Sequence, residues 1–246
     1  MINDKIKISI ITICFNSDKF IEKTIKSVIN QNYPNIEYII IDGDSKDNTI
    51  NIIKQYEDKI TKWISEPDKG IYDAMNKGIK LVTGDWVIFM NSGDLFCNKS
   101  VISEIFLNEI QENVKVVYGN VTNDWGTYKE CKKAYPLKTI SYRMPFCHQA
   151  VLVRREVLLD NLFDLSFKYA ADYNQFYNLF YKYSQQAFQY IPVNVAECDT
   201  SDSFSRKNKF PMWMEYMKIR SAHKDLRWYW DDLKNFIKIK FLGYRV

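Results

Sequence analysis

Glycine and proline are scarce in this chain, at eight and six of 246 residues. Collagen-like and Pro/Gly-rich low-complexity classes are therefore excluded. Neither G-x-x-x-x-G-K-[ST] nor G-x-G-x-x-G occurs, which counts against P-loop nucleotidases and dinucleotide-binding enzymes. There are two histidines and five scattered cysteines, no two of the latter at C-x2-C spacing. A zinc site is not expected. No apolar run approaches the roughly 18 residues needed to cross a bilayer. The first one, Ile8 to Phe15, is shorter than a signal h-region with its cleavage site. An odd cysteine count without such a leader points to reduced thiols and a cytoplasmic setting, at most on the inner face of the cell membrane.

Charge of one sign is not in large excess either, with 34 Lys and Arg against 30 Asp and Glu, a net of +4. The excess is local. Residues 204–246 carry 11 basic and 4 acidic side chains, a net of +7, so residues 1–203 carry −3. A uniformly basic nucleic-acid binder would not divide this way, and no nucleic-acid partner is expected. The tail interleaves Trp213, Tyr216, Trp228, Trp230 and Phe241 with Lys and Arg. That composition suits an anionic membrane surface. Docking on the body of the protein, or a homo-oligomer contact, is the alternative, and Asp231 and Asp232 weaken the membrane reading.

What is present is an alternation of buried strands and helices. Residues 6–15, 37–42 and 86–90 are strand-like runs that are apolar on both faces. Helical spacing separates them at 20–31, 48–56 and 72–80, with a short strand at 62–65. Strands of this kind, alternating with helices, indicate a doubly wound, mostly parallel α/β sheet covered on both sides. A further strand is expected at 115–118, a loop at 123–129, and helices at 171–183 and 213–240. Ligands in such sheets bind beyond the carboxyl ends of the strands. The polar clusters lie there: Asn16 after the first strand, Asp42 to Asp47 after the second, and Asn91 to Asp94 after the third. For Asp44 and Asp47 turn or capping duty is favoured. For Asp42, binding of a ribose or base is favoured. Asn91-Ser92-Gly93-Asp94 reads equally as a turn or as a divalent-metal site.

Four segments then carry a resemblance: ISIITICFN at 8–16, SVINQNYPNIEYIIIDGDSKDNT at 27–49, EPDKGIYDAMNKGI at 66–79, and GDWVIFMNSGD at 84–94. In order and spacing the chain resembles the family 2 glycosyltransferases, of GT-A fold, and within them bacterial enzymes of surface-polysaccharide synthesis. The resemblance is strong over about residues 6–100. It implies a catalytic domain at 1–203, with a nucleotide-sugar half at about 1–95 and an acceptor half at about 96–203. The basic aromatic extension, 204–246, is read as helical. Thr12, Phe15 and Asn16 would border the nucleotide, and Asp42 would bind its base or ribose. Asp68, Gly70 and Asn76 match the segment that closes over it. Asn91 and Ser92 belong to the metal motif, in which Asp94 is the ligand for Mn²⁺ or Mg²⁺. Asn91 stands where the family has an acid, and in the second segment Asp44 is displaced by one position. Asp172 matches the catalytic base, although Ala171 replaces the usual preceding Glu. From residue chemistry alone, His148 suits a metal, diphosphate or acceptor contact. Arg206 suits the leaving diphosphate.

The expected activity is metal-dependent inverting transfer of a sugar from a nucleotide sugar, most simply UDP-linked. The acceptor would be a hydroxyl of a glycan or lipid-linked molecule. Two alternatives stay open. One is a nucleotidyltransferase, although CFNSDKF at 14–20 lacks the glycine-rich loop usual there. The other is a nucleotide-sugar-binding protein without turnover.

Overall fold

The computed structural model describes residues 5–200 and 207–221. Strand β1 (Ile8–Cys14) is wholly buried. It is followed by α1 (Ile21–Ile29), β2 (Ile36–Asp42), α2 (Thr49–Lys54), β3 (Lys62–Ser65), α3 (Ile71–Leu81) and β4 (Trp86–Phe89). The second half contributes β5 (Leu95–Phe96), α4 (Val101–Phe106), β6 (Val116–Asp124), β7 (Lys129–Lys132), β8 (Val151–Arg154), α5 (Arg155–Asp160), α6 (Ala171–Tyr183) and β9 (Phe188–Asp199). Helix α7 (Lys209–Ser221) ends the described chain.

These strands form one sheet in the order β3-β2-β1-β4-β8-β6-β9-β5, with β7 paired to β6. Both faces are covered, as the doubly apolar strands require. Ile11, Ile13, Ile39 and Ile41 point into a core shared with α3, α5 and α6. Ile8, Ile10, Tyr38 and Ile40 point into a second core beneath α1 and α4.

Two features of the topology position the site. First, β1 runs parallel to both β2 and β4, and Cys14 aligns with Asp42. The carboxyl ends of the three strands therefore open at one edge, where the strand order reverses. Second, β8 runs antiparallel to β4, with Leu152 opposite Ile88. The residues that lead into β8 consequently arrive beside the residues that leave β4.

The expected helix at 171–183 and strand at 62–65 stand as read. The strand expected at 115–118 runs on to Asp124, because parallel pairing with β9 supports its whole length. The expected loop at 123–129 is the tip of a β6–β7 hairpin, reversed at Gly126 with φ +79°. Of the helix expected over 213–240, residues up to 221 are described; the remainder lies outside the described residues.

Close approach of α3 to the sheet depends on Gly78. A Cβ there would meet Cγ2 of Ile11 at 2.7 Å and Cγ1 of Ile41 at 3.5 Å. Gly78→Ala should gain about 1 kcal/mol in helix propensity but lose about 1–3 kcal/mol to overpacking. Net destabilisation is expected in urea denaturation; a more stable variant would refute this packing.

Candidate active site

A cavity of about 620 Å³ opens at this edge of the sheet. Asn91, Ser92, Asp94, His148 and Asp172 all line it, so five residues proposed from sequence meet in one place. They come from three elements far apart in the chain.

Asp94 follows the β4 turn, where Gly93 takes φ +101°, open to glycine but costly for other residues. Its carboxylate accepts Gln149 Nε2 at 2.9 Å and the Cys198 thiol. Burial is the largest influence on it and pushes its pKa up to about 7; the nearby Asp199 adds to this, against the two hydrogen bonds. A carboxylate so largely withdrawn from water stands beside a second acid and makes no salt bridge among the described residues. Beside it in the same wall of the cavity, Asn91 Oδ1 and Ser92 Oγ are buried with no hydrogen-bond partner among the described residues. An enclosed carboxylate with adjacent idle oxygens suits a hard divalent cation such as Mg²⁺ or Mn²⁺. No group of three or more His, Cys, Asp or Glu side chains is assembled among the described residues. Such an ion would therefore draw on Asp94, the Asn91 carbonyl, water and substrate phosphate.

Asp172 sits in the first turn of α6. Its Oδ1 accepts the Tyr72 hydroxyl at 3.0 Å and its own neighbour's amide, Tyr173 N–H, at 2.8 Å. One carboxylate oxygen is thus anchored from α3 and from α6. Burial, together with the Asp172 charge, holds the Tyr72 hydroxyl well above the ordinary phenol range, so it stays a donor.

His148 is wedged against Phe89, Phe163 and Phe176, with ring centroids 5.1, 5.8 and 5.9 Å away. Burial lowers its pKa, and the Asp172 charge offsets this only in part. The neutral imidazole is thus favoured, and its Nδ1 has no hydrogen-bond partner among the described residues.

The nucleotide-half residues form a separate group around the ends of β1 and β2. Phe15 is 61% exposed. A Cβ on Gly43 would lie 3.3 Å from its ring and 2.5 Å from Asp68 Oδ2, so the glycine leaves this gap open. Asp68 in turn accepts the Gly70 amide at 2.8 Å, and Gly70 takes φ +115°. Asn16 bridges the two loops: its Oδ1 accepts Lys46 N–H at 2.9 Å, and its own amide donates to Ser45 Oγ at 2.8 Å. Asp47 accepts the Thr49 amide at 3.0 Å, a turn contact within the turn or capping duty expected of it.

Three residues expected at the nucleotide are engaged within the protein itself. Thr12 is fully buried and donates to the Met90 carbonyl at 2.7 Å, so it braces β1 against the β4 turn rather than bordering a base. Asp42 is also fully buried. Its oxygens accept from Cys14, Ser65, and both the amide and hydroxyl of Ser45. Four donors thus occupy the carboxylate and shape the loop. Asn76 exchanges two 2.9 Å hydrogen bonds with the Phe163 backbone and anchors the segment before α6. Arg206 lies outside the described residues.

Comparison with known proteins decides the family. The family model described as Glycosyl transferase family 2 matches residues 9–163, more than half of the chain. The chain belongs to the family 2 glycosyltransferases. A PGL/p-HBAD biosynthesis glycosyltransferase of Mycobacterium bovis is 29% identical over 157 residues, 60% of this chain and 59% of that protein. The Escherichia coli UDP-Glc:alpha-D-GlcNAc-diphosphoundecaprenol beta-1,3-glucosyltransferase WfgD is 30% identical over 118 residues, 48% of this chain and 46% of that protein. The chain thus covers between about half and three-fifths of the length of these two relatives. Among solved structures, Mycobacterium tuberculosis glucosyl-3-phosphoglycerate synthase with Mn²⁺, UDP-glucose and phosphoglyceric acid superposes with a TM-score of 0.64. The identity is 13%, covering 89% of this chain and 79% of that one, so the likeness is one of fold. The fold is the GT-A fold of this family.

Within this family 2 framework, α7 supplies what the sequence reading missed. It falls in the stretch assigned to the extension, yet Met212 and Tyr216 line the cavity, and Ile219 is buried in the core. Tyr216 stacks on Tyr173 at 4.2 Å. Glu215 accepts the backbone N–H groups of Lys168, Tyr169 and Ala170, each at 2.8 Å. It caps the approach to α6, whose own N-cap residue, Ala170, has no side-chain donor or acceptor to offer. The available signal was an acid isolated in a basic tail. Gln149 was also missed, though it directly follows His148.

Two outcomes follow. Glu215→Ala leaves three amides without their partner and should cost about 1–3 kcal/mol, with faster amide exchange at 168–172; unchanged exchange there would contradict the clamp. His148 binds its proton less readily in the folded state than at its ordinary value of 6.5. Its contribution to stability is present above that value and is lost as pH falls through and below it. The drop in Tm between pH 7.5 and 5 should therefore be smaller in His148→Gln than in the parent protein. Equal drops would show that His148 titrates normally.

Proposed function

We propose that this protein transfers a sugar from a nucleoside-diphosphate sugar to a hydroxyl of a glycan or lipid-linked acceptor, with inversion, as part of bacterial polysaccharide synthesis. The observation that carries this reading is the shared cavity of Asp94 and Asp172. It joins an anionic oxygen cluster suited to a cation to a carboxylate anchored through only one oxygen. UDP is the simplest nucleotide, and the relatives support that choice: the Escherichia coli protein's name specifies UDP-Glc.

Asp172 is the general base. Tyr72 and the Tyr173 amide fix Oδ1, leaving Oδ2 to take the proton of the attacking hydroxyl. The acceptor oxygen bonds to the anomeric carbon as the bond to the nucleoside diphosphate breaks. That single displacement accounts for inversion without a covalent enzyme intermediate. Asp94, with Asn91, would hold Mn²⁺ or Mg²⁺, which when bound offsets the charge developing on the leaving diphosphate. His148, neutral and held by three phenylalanines, offers a fixed polar edge to the sugar. Phe15, Gly43 and Asp68 form the exposed end of the nucleotide half, where the nucleoside lies.

Asp172→Asn should lower turnover by about a hundredfold or more, in keeping with the loss of a general base, while UDP binding changes little. Asp94→Asn should instead weaken UDP binding in the presence of Mn²⁺ and leave binding without the metal nearly unchanged. UDP release from a panel of sugar nucleotides, with calorimetry in parallel, measures both. Asp172→Asn at full turnover would refute the base assignment.

A further inference from the structure

A second cavity, of about 390 Å³, adjoins the first. The two share Asp94, Gln149, Phe146 and Asp199 as a common wall. Apart from Asp94 itself, every wall of the second cavity comes from residues beyond it in sequence, between Gly119 and Thr200. It therefore belongs to the half of the sheet away from the β1 and β2 loops.

Its charge distribution is uneven. The acids Asp94 and Asp199 stand at the shared wall, whereas Lys132, Lys133 and Arg143 stand in the remaining lining. Lys129, the first residue of the same hairpin strand, is neutralised by Glu197 at 2.6 Å and Asp124 at 3.6 Å. Lys132, Lys133 and Arg143 have no acidic partner among the described residues. Arg143 and Lys132 both lie against the Tyr135 ring, at 3.9 and 5.3 Å from its centroid. Tyr135 is fixed by donating its amide to the Pro145 carbonyl at 2.7 Å, and the Ala134 amide reaches Asn120 Oδ1 at 3.3 Å. Two of the three cations are thus gathered on an anchored aromatic platform.

Like charges brought together without counter-ions repel one another, and a bound anion relieves this. A guanidinium and two ammonium groups suit phosphate oxygens, the first as a planar fork and the others as point charges. We propose that this second cavity binds a phosphate or diphosphate group carried by the acceptor, holding it while the acceptor hydroxyl enters the first cavity beside Asp172. The inference rests on the sugar-transfer reading above, because it assumes that the neighbouring cavity holds the donor. The donor's own diphosphate is assigned to Asp94 in the shared wall, and the nucleoside to the β1 and β2 loops. The basic end of the second cavity is therefore left to the other substrate.

Calorimetry on the full chain tests this, with UDP and Mn²⁺ at saturation so that the donor site is filled. Inorganic diphosphate is titrated first, followed by a glycosyl diphosphate and the matching uncharged alkyl glycoside. One additional site is expected for the two diphosphates, and the uncharged glycoside should bind at least about tenfold more weakly. Arg143→Gln and the double variant Lys132→Gln/Lys133→Gln should each weaken diphosphate binding several-fold, with unchanged UDP affinity and unchanged Tm. These side chains are exposed, so the variants should fold. Absence of diphosphate binding to the UDP-filled protein, or binding indifferent to the substitutions, would overturn the proposal and leave the donor reading standing. Failure of UDP itself to bind would instead strike the donor reading, and this proposal with it. If a glycosyl phosphate binds as tightly as the diphosphate, a single phosphate is the group recognised.

Discussion

The enclosed carboxylate of Asp94 is the constraint on which the site depends. An anion this far from water is costly unless donors or a cation compensate it. The fold brings up the donors from two directions. Gln149 arrives because β8 lies antiparallel to β4, and Cys198 arrives at the end of β9, whose neighbour β5 starts one residue after Asp94. The turn beneath is held by Thr24, which donates to the Asp94 carbonyl and accepts the Gly93 amide, both at 3.0 Å. Among the described residues these contacts leave negative charge uncompensated on the cavity side, beside the unpartnered oxygens of Asn91 and Ser92. That residual charge is what the proposed cation, and through it a diphosphate, would offset.

Asp172 is held by a different logic. Its position depends on the first turn of α6, and the residue before that turn, Ala170, has no capping side chain. The cap comes from Glu215, more than forty residues later, through three backbone amides. Tyr216, from the same helix, stacks on Tyr173. Arg220, 2% exposed, donates to the Tyr142 carbonyl at 2.9 Å and ties the helix to the segment that leads toward His148. The start of the basic tail is therefore part of the wall of the first cavity. The charge excess that first set the tail apart does not coincide with a structural boundary.

The sheet was legible because its signal is local. Runs such as ISIITIC in β1 and EYIIID before Gly43 are buried on both faces, and that pattern has few solutions other than a doubly covered parallel sheet. Asp94, His148 and Asp172 were legible as chemistry-bearing residues, two of them through family motifs, and the structure brings all three to one cavity. Asp42, Thr12 and Asn76 were less legible. A strand end reveals that a polar side chain sits near a ligand edge, but not whether it faces outward. Ser45, Ser65 and Cys14 consume the carboxylate of Asp42 from three separate segments.

The sequence by itself determined the alternation of strands and helices, the edge at which polar residues collect, and the uneven distribution of charge. Each follows from side-chain period or composition within short windows. Tertiary structure alone decided the antiparallel return of β8, the capture of α6 by Glu215, and the gathering of cations in the second cavity. Those depend on which distant segments come to share a hydrogen bond or a counter-charge. No local window of the chain encodes that pairing, because its free energy exists only once both partners have been brought together by the packed sheet.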